Sequence, residues 1–195
     1  MPSKRRRAQY WYNKGIALAN LGRYEEAVEA FEKAIEIDPS YHEAWYYKGT
    51  LLCELGEYED AVNVFEKAIE INPNYHEEWY YKGTLLCELG EYEDAVKAFE
   101  KVLEINPNYD EALYNKGIAL ANLGRYEEAV EAFEKAIKIA PNHNEELYNK
   151  GVSLANLGRY KEAINNLSKV YLLLKEEPFD SSINELSKRS ESSKK

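Results

Sequence analysis

The chain has 195 residues, 45% of them apolar and 31% charged, with ten Gly, six Pro and a formal net charge of −10. That balance excludes a disordered, fibrous or duplex-binding chain and suits a soluble helical protein without nucleic acid as a partner. No apolar run approaches the roughly 18 residues of a membrane-spanning helix, and the basic start SKRRR leads into AQYWYNKG without an apolar segment or small-residue cleavage site, so the expectation is a cytoplasmic protein without membrane contact.

Residues 1–7 carry Lys4, Arg5, Arg6 and Arg7 with no apolar periodicity and read as a basic, disordered tail. From Ala8 onward a 34-residue pattern runs five times, over 8–41, 42–75, 76–109, 110–143 and 144–177. Units two and three differ at only five places, residues 44, 63, 64, 68 and 69 against 78, 97, 98, 102 and 103, and Tyr12 to Ile35 recurs letter for letter as Tyr114 to Ile137. A fixed period of this size marks a stacked array whose core grows by adding units.

Positions within a unit are numbered from its first residue. Large or close-packing residues at positions 4, 8 and 11, such as Trp45, Gly49 and Leu52, form the i, i+4, i+7 stripe of an amphipathic helix. Position 15 is always Gly (Gly22, Gly56, Gly90, Gly124 and Gly158) and ends that helix by taking positive φ. Tyr58, Ala61, Val62, Phe65, Ala68 and Ile69 make a second stripe, stopped at Asn72-Pro73 because the residue before proline is pushed out of the helical region. Each unit is therefore a helical hairpin, with Gly49, Ala61 and Ala68 small enough for close helix approach. Its two short helices cannot bury their apolar faces without neighbours. In the fifth unit the second helix runs on through Tyr171, Leu172, Leu173 and Leu174. Residues 178–195 are expected to hold a short capping helix near Ser181 to Lys188, with Asp180 as N-cap and Ile183 and Leu186 at i and i+3, before a disordered end. Without that cap, the leucines would favour self-association.

The pattern W-x3-G-x2-L-x3-G-x-Y-x2-A-x3-F-x2-A-x4-P, present as Trp11, Gly15, Leu18, Gly22, Tyr24, Ala27, Phe31, Ala34 and Pro39, resembles the tetratricopeptide repeat. Departures are modest: Leu113 and Leu147 replace Trp at position 4, Val102 and Val170 replace Ala at 27, Leu167 replaces Phe at 24, and the fifth unit lacks its closing Pro. Lys14, Lys48, Lys82, Lys116 and Lys150 hold position 7, where the family usually has Leu; the stem should lie along apolar surface with the amine in water. The resemblance implies an all-α fold, a right-handed superhelix of helix-turn-helix hairpins. Its first helices would line a concave groove that commonly binds extended or helical peptides. The family's carboxylate clamp for acidic chaperone tails needs Lys and Asn at positions 5 and 9, Asn at 6, and Lys and Arg at 2 and 6. This chain has Tyr at 5, Ile, Thr or Val at 9, and Glu or Gln at 2, so that ligand is rejected.

On a helical step of about 100°, positions 2, 5, 9, 12 and 13 lie opposite the buried stripe and should face the groove. Position 5 is Tyr throughout: Tyr12, Tyr46, Tyr80, Tyr114 and Tyr148. Two readings are open: the rings pack against the adjacent first helix, or they present area and hydroxyls to a peptide. Counting Lys and Arg against Asp and Glu, the units carry −3, −5, −5, −2 and 0. In the acidic centre, Glu43, Glu54, Glu77 and Glu88 occupy positions 2 and 13, beside Thr50 and Thr84 at position 9. These glutamates are either a solvated acidic surface or a negative groove that attracts a basic or basic-apolar segment. Position 6 is Asn13, Asn115 and Asn149 in the outer units but Tyr47 and Tyr81 in the central pair. The asparagines could hold a peptide backbone, similar to the asparagine ladder of O-linked N-acetylglucosamine transferases, or make local contacts.

No nucleotide, zinc-protease or serine-hydrolase motif is present, and no catalytic, metal or cofactor site is expected. His42, His76 and His143 read as surface turn residues. Cys53 and Cys87 share position 12, which reflects copying; a bridge between them stays open. The expectation is a non-enzymatic adaptor, a monomer or weak homo-oligomer, holding a basic protein or peptide segment on its concave face. The alternative is a structural module that self-associates through its apolar C-terminal end.

Overall fold

A computed structural model describes residues 3–141 and 144–176. Ten α-helices and no strands occur among the described residues: α1 (Lys4–Asn20), α2 (Tyr24–Ile37), α3 (His42–Glu54), α4 (Tyr58–Ile71), α5 (His76–Glu88), α6 (Tyr92–Ile105), α7 (Asp110–Asn122), α8 (Tyr126–Ile139), α9 (Asn144–Asn156) and α10 (Tyr160–Glu176). Each helix packs against the next in sequence, and α7 also touches α5 and α9. The result is an α-solenoid with its core between successive helices, in which first helices border first helices.

All five hairpins turn in the same way. Leu21 closes α1, Gly22 follows at φ 73°, and the Arg23 and Gly22 amides donate to Leu18 O and Ala19 O at 3.0 and 2.9 Å. This pair of bonds satisfies carbonyls that the helix end would otherwise orphan. Between units, Asp38 leaves the helix in an extended conformation (φ −136°) ahead of Pro39, and its carboxylate accepts from Ser40 N and Oγ at 3.2 and 2.7 Å. Asn72 and Asn106 repeat the backbone part of this bond. Trp45 and Trp79 then clamp the turn by donating their indole N–H to Pro39 O and Pro73 O at 2.9 and 3.1 Å.

The two helices of a hairpin meet at a glycine and a phenylalanine. A Cβ on Gly15, Gly49, Gly83 or Gly117 would lie 2.5–2.8 Å from the ring of Phe31, Phe65, Phe99 or Phe133, and all four rings are fully buried. Position 8 is thus the floor on which the ring rests. In the fifth unit Leu167 takes the ring's place over Gly151.

The N-terminus departs from expectation. Lys4–Arg7 are not a disordered tail but the first turn of α1, capped by Ser3, whose Oγ accepts from the Arg6 amide at 3.4 Å. Lys and Arg are good helix formers, and the turn continues into Ala8, which is buried. At the other end α10 has 17 residues where α8 has 14, and it leaves Ile164, Tyr171, Leu172 and Leu174 exposed. The capping helix expected near 181–188 lies outside the described residues.

Substituting Gly83→Ala should lower the free energy of unfolding by about 1–3 kcal/mol, because the added Cβ would lie 2.8 Å from the fully buried Phe99 ring. A urea titration measures this; an unchanged midpoint would show that the ring can yield.

Candidate functional site

The tyrosines at position 5 sit between two units. Tyr12, Tyr46, Tyr80 and Tyr114 are half-buried, with ring centroids 5.8, 6.3, 6.1 and 6.0 Å from Phe31, Phe65, Phe99 and Phe133 of their own hairpins. Each also meets position 6 of the following unit. Asn115 Nδ2 donates to Tyr80 Oη and Asn149 Nδ2 to Tyr114 Oη, both at 3.0 Å. Tyr114 in turn donates to Glu145 at 3.1 Å. At the first two joints Tyr47 and Tyr81 replace the asparagine. They pack edge-on against the Tyr12 and Tyr46 rings at 5.8 and 5.9 Å and stack on Phe31 and Phe65 of the preceding unit at 5.9 and 5.3 Å. Burial, with Tyr47 beside it, pushes the Tyr12 phenol up to about 12. Tyr148, in the last unit, is 53% exposed.

This row is therefore first an inter-unit joint, and only the outward ring edges remain for a ligand. Asn115 and Asn149 use their amide donors on tyrosine, while Asn13 Oδ1 accepts from Gln9 at 3.0 Å. Thr50 and Thr84 donate their hydroxyls to Tyr47 O and Tyr80 O of their own helices.

Position 7 makes a second joint. Lys48, Lys82, Lys116 and Lys150 do not end in water but reach Glu32, Glu66, Glu100 and Glu134 on the second helix of the preceding unit, at 2.8, 2.7, 2.8 and 2.9 Å. Since the glutamates are about half exposed, each pair contributes about 0–1 kcal/mol. Lys14 has no preceding unit and lies 4.8 Å from the Trp11 ring centre.

The acidic centre is divided. Glu54 and Glu88 are exposed on the last turns of α3 and α5. Glu43 and Glu77 instead line a pocket of about 280 Å³ with His42, Tyr46, Tyr47, Tyr75 and Glu78. Tyr75 stacks on His42 with ring centres 4.4 Å apart, so His42 is part of a wall and not a free surface histidine. Burial holds its imidazole below the ordinary value, with Glu43 and Glu77 pulling the other way.

Glu78 is the group that sequence reasoning missed. It takes position 3, where Ala44 and Ala112 are fully buried, and is itself only 1% exposed. Its Oε1 lies 2.8 Å from His42 Nε2, out of line for a hydrogen bond, and its Oε2 is buried with no hydrogen-bond partner in the protein. Burial, with Glu77 adding repulsion, pushes the carboxyl up to about 7. The available signal was Ala44 against Glu78, one of the few differences between units two and three.

Cys53 and Cys87 are unpaired and half-buried, and burial pushes both thiols up to about 11, far from a reactive thiolate. Among the described residues no cluster of His, Cys, Asp and Glu is arranged as metal ligands, and no helix is long and apolar enough to cross a membrane. His143 lies outside the described residues.

Family models described as tetratricopeptide repeat match residues 8–41, 42–75, 80–144 and 147–173. Among solved structures, MamA superposes with a TM-score of 0.83 at 23% identity, over 86% of this chain and 92% of that one, which shows the fold alone. MamA 41-end from Desulfovibrio magneticus RS-1 gives 0.82 at 26% identity over 91% and 98%. YrrB, described as a TPR protein with an unusual peptide-binding site, gives 0.78 at 27% identity over 90% of both chains. An uncharacterized protein of Methanocaldococcus jannaschii is 46% identical over 39 residues, 20% of this chain; the match spans 45% of that relative's length.

The buried carboxyl has a pH signature. Its pKa is raised in the folded state, so the folded protein holds the proton that the unfolded chain releases. The stability this confers is complete below the ordinary carboxylate range and lost as pH rises through about 7. Facing groups are His42, Glu43, Tyr46, Tyr47 and Tyr75 from the preceding unit and Glu77 from its own helix. Glu78→Gln should match the wild type in thermal unfolding at pH 5 and exceed it by roughly 2–3 kcal/mol at pH 8. A difference that does not change with pH would contradict the assignment.

Proposed function

Because the chain belongs to the tetratricopeptide repeat family, we propose that it is a non-enzymatic, cytoplasmic adaptor whose first helices hold a peptide segment of another protein, basic or basic-apolar in character. One observation carries this reading: the two most acidic units bring Glu43, Glu77 and Tyr46 to a single pocket on the wall made by α3 and α5. Negative potential focused in a concavity raises the local concentration of positive segments and discriminates against acidic ones. Half-buried tyrosine edges supply contact area with little conformational freedom to lose. The peptide-binding description of YrrB, which matches 90% of this chain, supports peptide binding by an array of this kind.

A second reading is favoured by a different observation. Ile164, Tyr171, Leu172 and Leu174 are exposed along α10, and a run of this kind at the end of a stacked array suits contact with a second copy. Sedimentation velocity across a wide concentration range tests it. A sedimentation coefficient that rises with concentration and returns to the monomer value on Leu172→Glu supports self-association; a constant one rules it out.

For the adaptor reading, fluorescence anisotropy with libraries of basic, neutral and acidic peptides should show binding to the basic set alone. That binding should weaken as salt rises and fall with Glu43→Gln combined with Glu77→Gln. Equal binding of acidic peptides would sink the proposal.

A further inference from the structure

The fold accounts for only one side of Glu78, whose Oε1 lies 2.8 Å from His42 Nε2. Alanine serves position 3 in units two and four with complete burial (Ala44 and Ala112), so the hairpin does not need a carboxyl there. Burying one without a full set of partners is unfavourable, yet Oε2 hydrogen-bonds nothing and the side chain lines the pocket between α3 and α5.

The rest of the pocket has one character. Glu43 and Glu77 add acceptors, and Tyr46, Tyr47 and Tyr75 add ring faces and edges, the surroundings in which a cation is stabilised by both carboxylate and aromatic groups. No lysine or arginine of the chain lines it. Unit five repeats the substitution as Glu146, but unit four offers Asn115 and His143 where unit two has Tyr47 and Tyr75.

We propose that this pocket seats one cationic side chain, a lysine or arginine of the bound peptide, with the buried Glu78 carboxylate as its counter-ion. The proposal rests on the peptide-binding reading and deepens it by fixing one position of the ligand. An incoming ammonium or guanidinium offsets repulsion among the three carboxylates that line the pocket. It also favours the ionised carboxyl, which alone is half-protonated near pH 7. Seating the cation therefore releases a proton, and affinity should fall as pH drops from 8 to 6. The titrating neighbours are His42 and Glu43 on α3 and His76 and Glu77 on α5, with His76 Nδ1 3.2 Å from the Glu77 carboxylate.

The test uses the full chain and the peptide acetyl-Ala-Ala-Lys-Ala-Ala-amide, with versions carrying arginine, norleucine or Nε-acetyl-lysine at the centre, followed by NMR titration. The lysine and arginine peptides should bind about tenfold or more tightly than the two neutral ones, and Glu78→Gln should erase that difference and its pH dependence. Glu78→Ala, which restores the residue of units two and four, guards against a misfolded variant and should give the same result. Neutral peptides binding equally, or cationic peptides binding both variants as tightly as the wild type, would overturn the pocket. If a longer basic peptide still binds the wild type and both variants alike, the groove reading survives and the pocket alone fails. If no basic peptide binds the wild type, both fail.

Discussion

The structure depends on a contact between a missing side chain and a large one. At position 8 of each first helix a glycine gives up its Cβ so that the ring of Phe31, Phe65, Phe99 or Phe133 can lie against the backbone, well inside ordinary contact distance for any added carbon. Glycine inside a helix costs roughly 1 kcal/mol relative to alanine, and the burial of a whole aromatic ring outweighs it. Because the same pair recurs in four hairpins and a leucine substitutes in the fifth, the units have nearly the same shape, and identical shapes can stack.

Stacking then needs joints, and two of them run from unit to unit. On the first helices, the first four tyrosines at position 5 meet position 6 of the next unit, through an amide hydrogen bond from Asn115 and Asn149 and through ring packing by Tyr47 and Tyr81. On the flank, each lysine at position 7 reaches back to a glutamate of the preceding second helix. The aromatic joints matter more for shape, since they are partly desolvated and directional, whereas the ion pairs are exposed and screened. These joints also account for the surface a ligand would meet. The wall shows ring edges and carboxylates, because the Tyr80 and Tyr114 hydroxyls, the Asn115 and Asn149 amides and the lysine amines are engaged in holding the array together.

Much of this was legible in the sequence, for reasons that can be located. The glycine at position 15 has one physical use at a helix end, and it takes φ between 73° and 78° in every unit. The period of 34 marked the hairpins and their stacking. What could not be read was direction in space. Lysine at position 7 and glutamate sixteen residues earlier recur together in units two to five, but only the packed array brings them within bonding distance. The basic start read as a tail because it lacks apolar periodicity, yet helix propensity and Ser3 extend α1 through it. Glu78 was hidden by its type: a glutamate on an acidic helix reads as solvated until its Cβ is placed at the interface with the preceding unit.

The acidic middle of the array is thus two things. Glu54 and Glu88 belong to a solvated surface, while Glu43, Glu77 and Glu78 converge on one aromatic pocket with a carboxylate oxygen to spare. The most direct measurement is the ¹³C carboxyl titration of Glu78, free and with the lysine peptide. The account predicts a midpoint near neutrality in the free protein that falls by about one pH unit or more when the peptide is bound. An ordinary carboxylate midpoint in both states would contradict it.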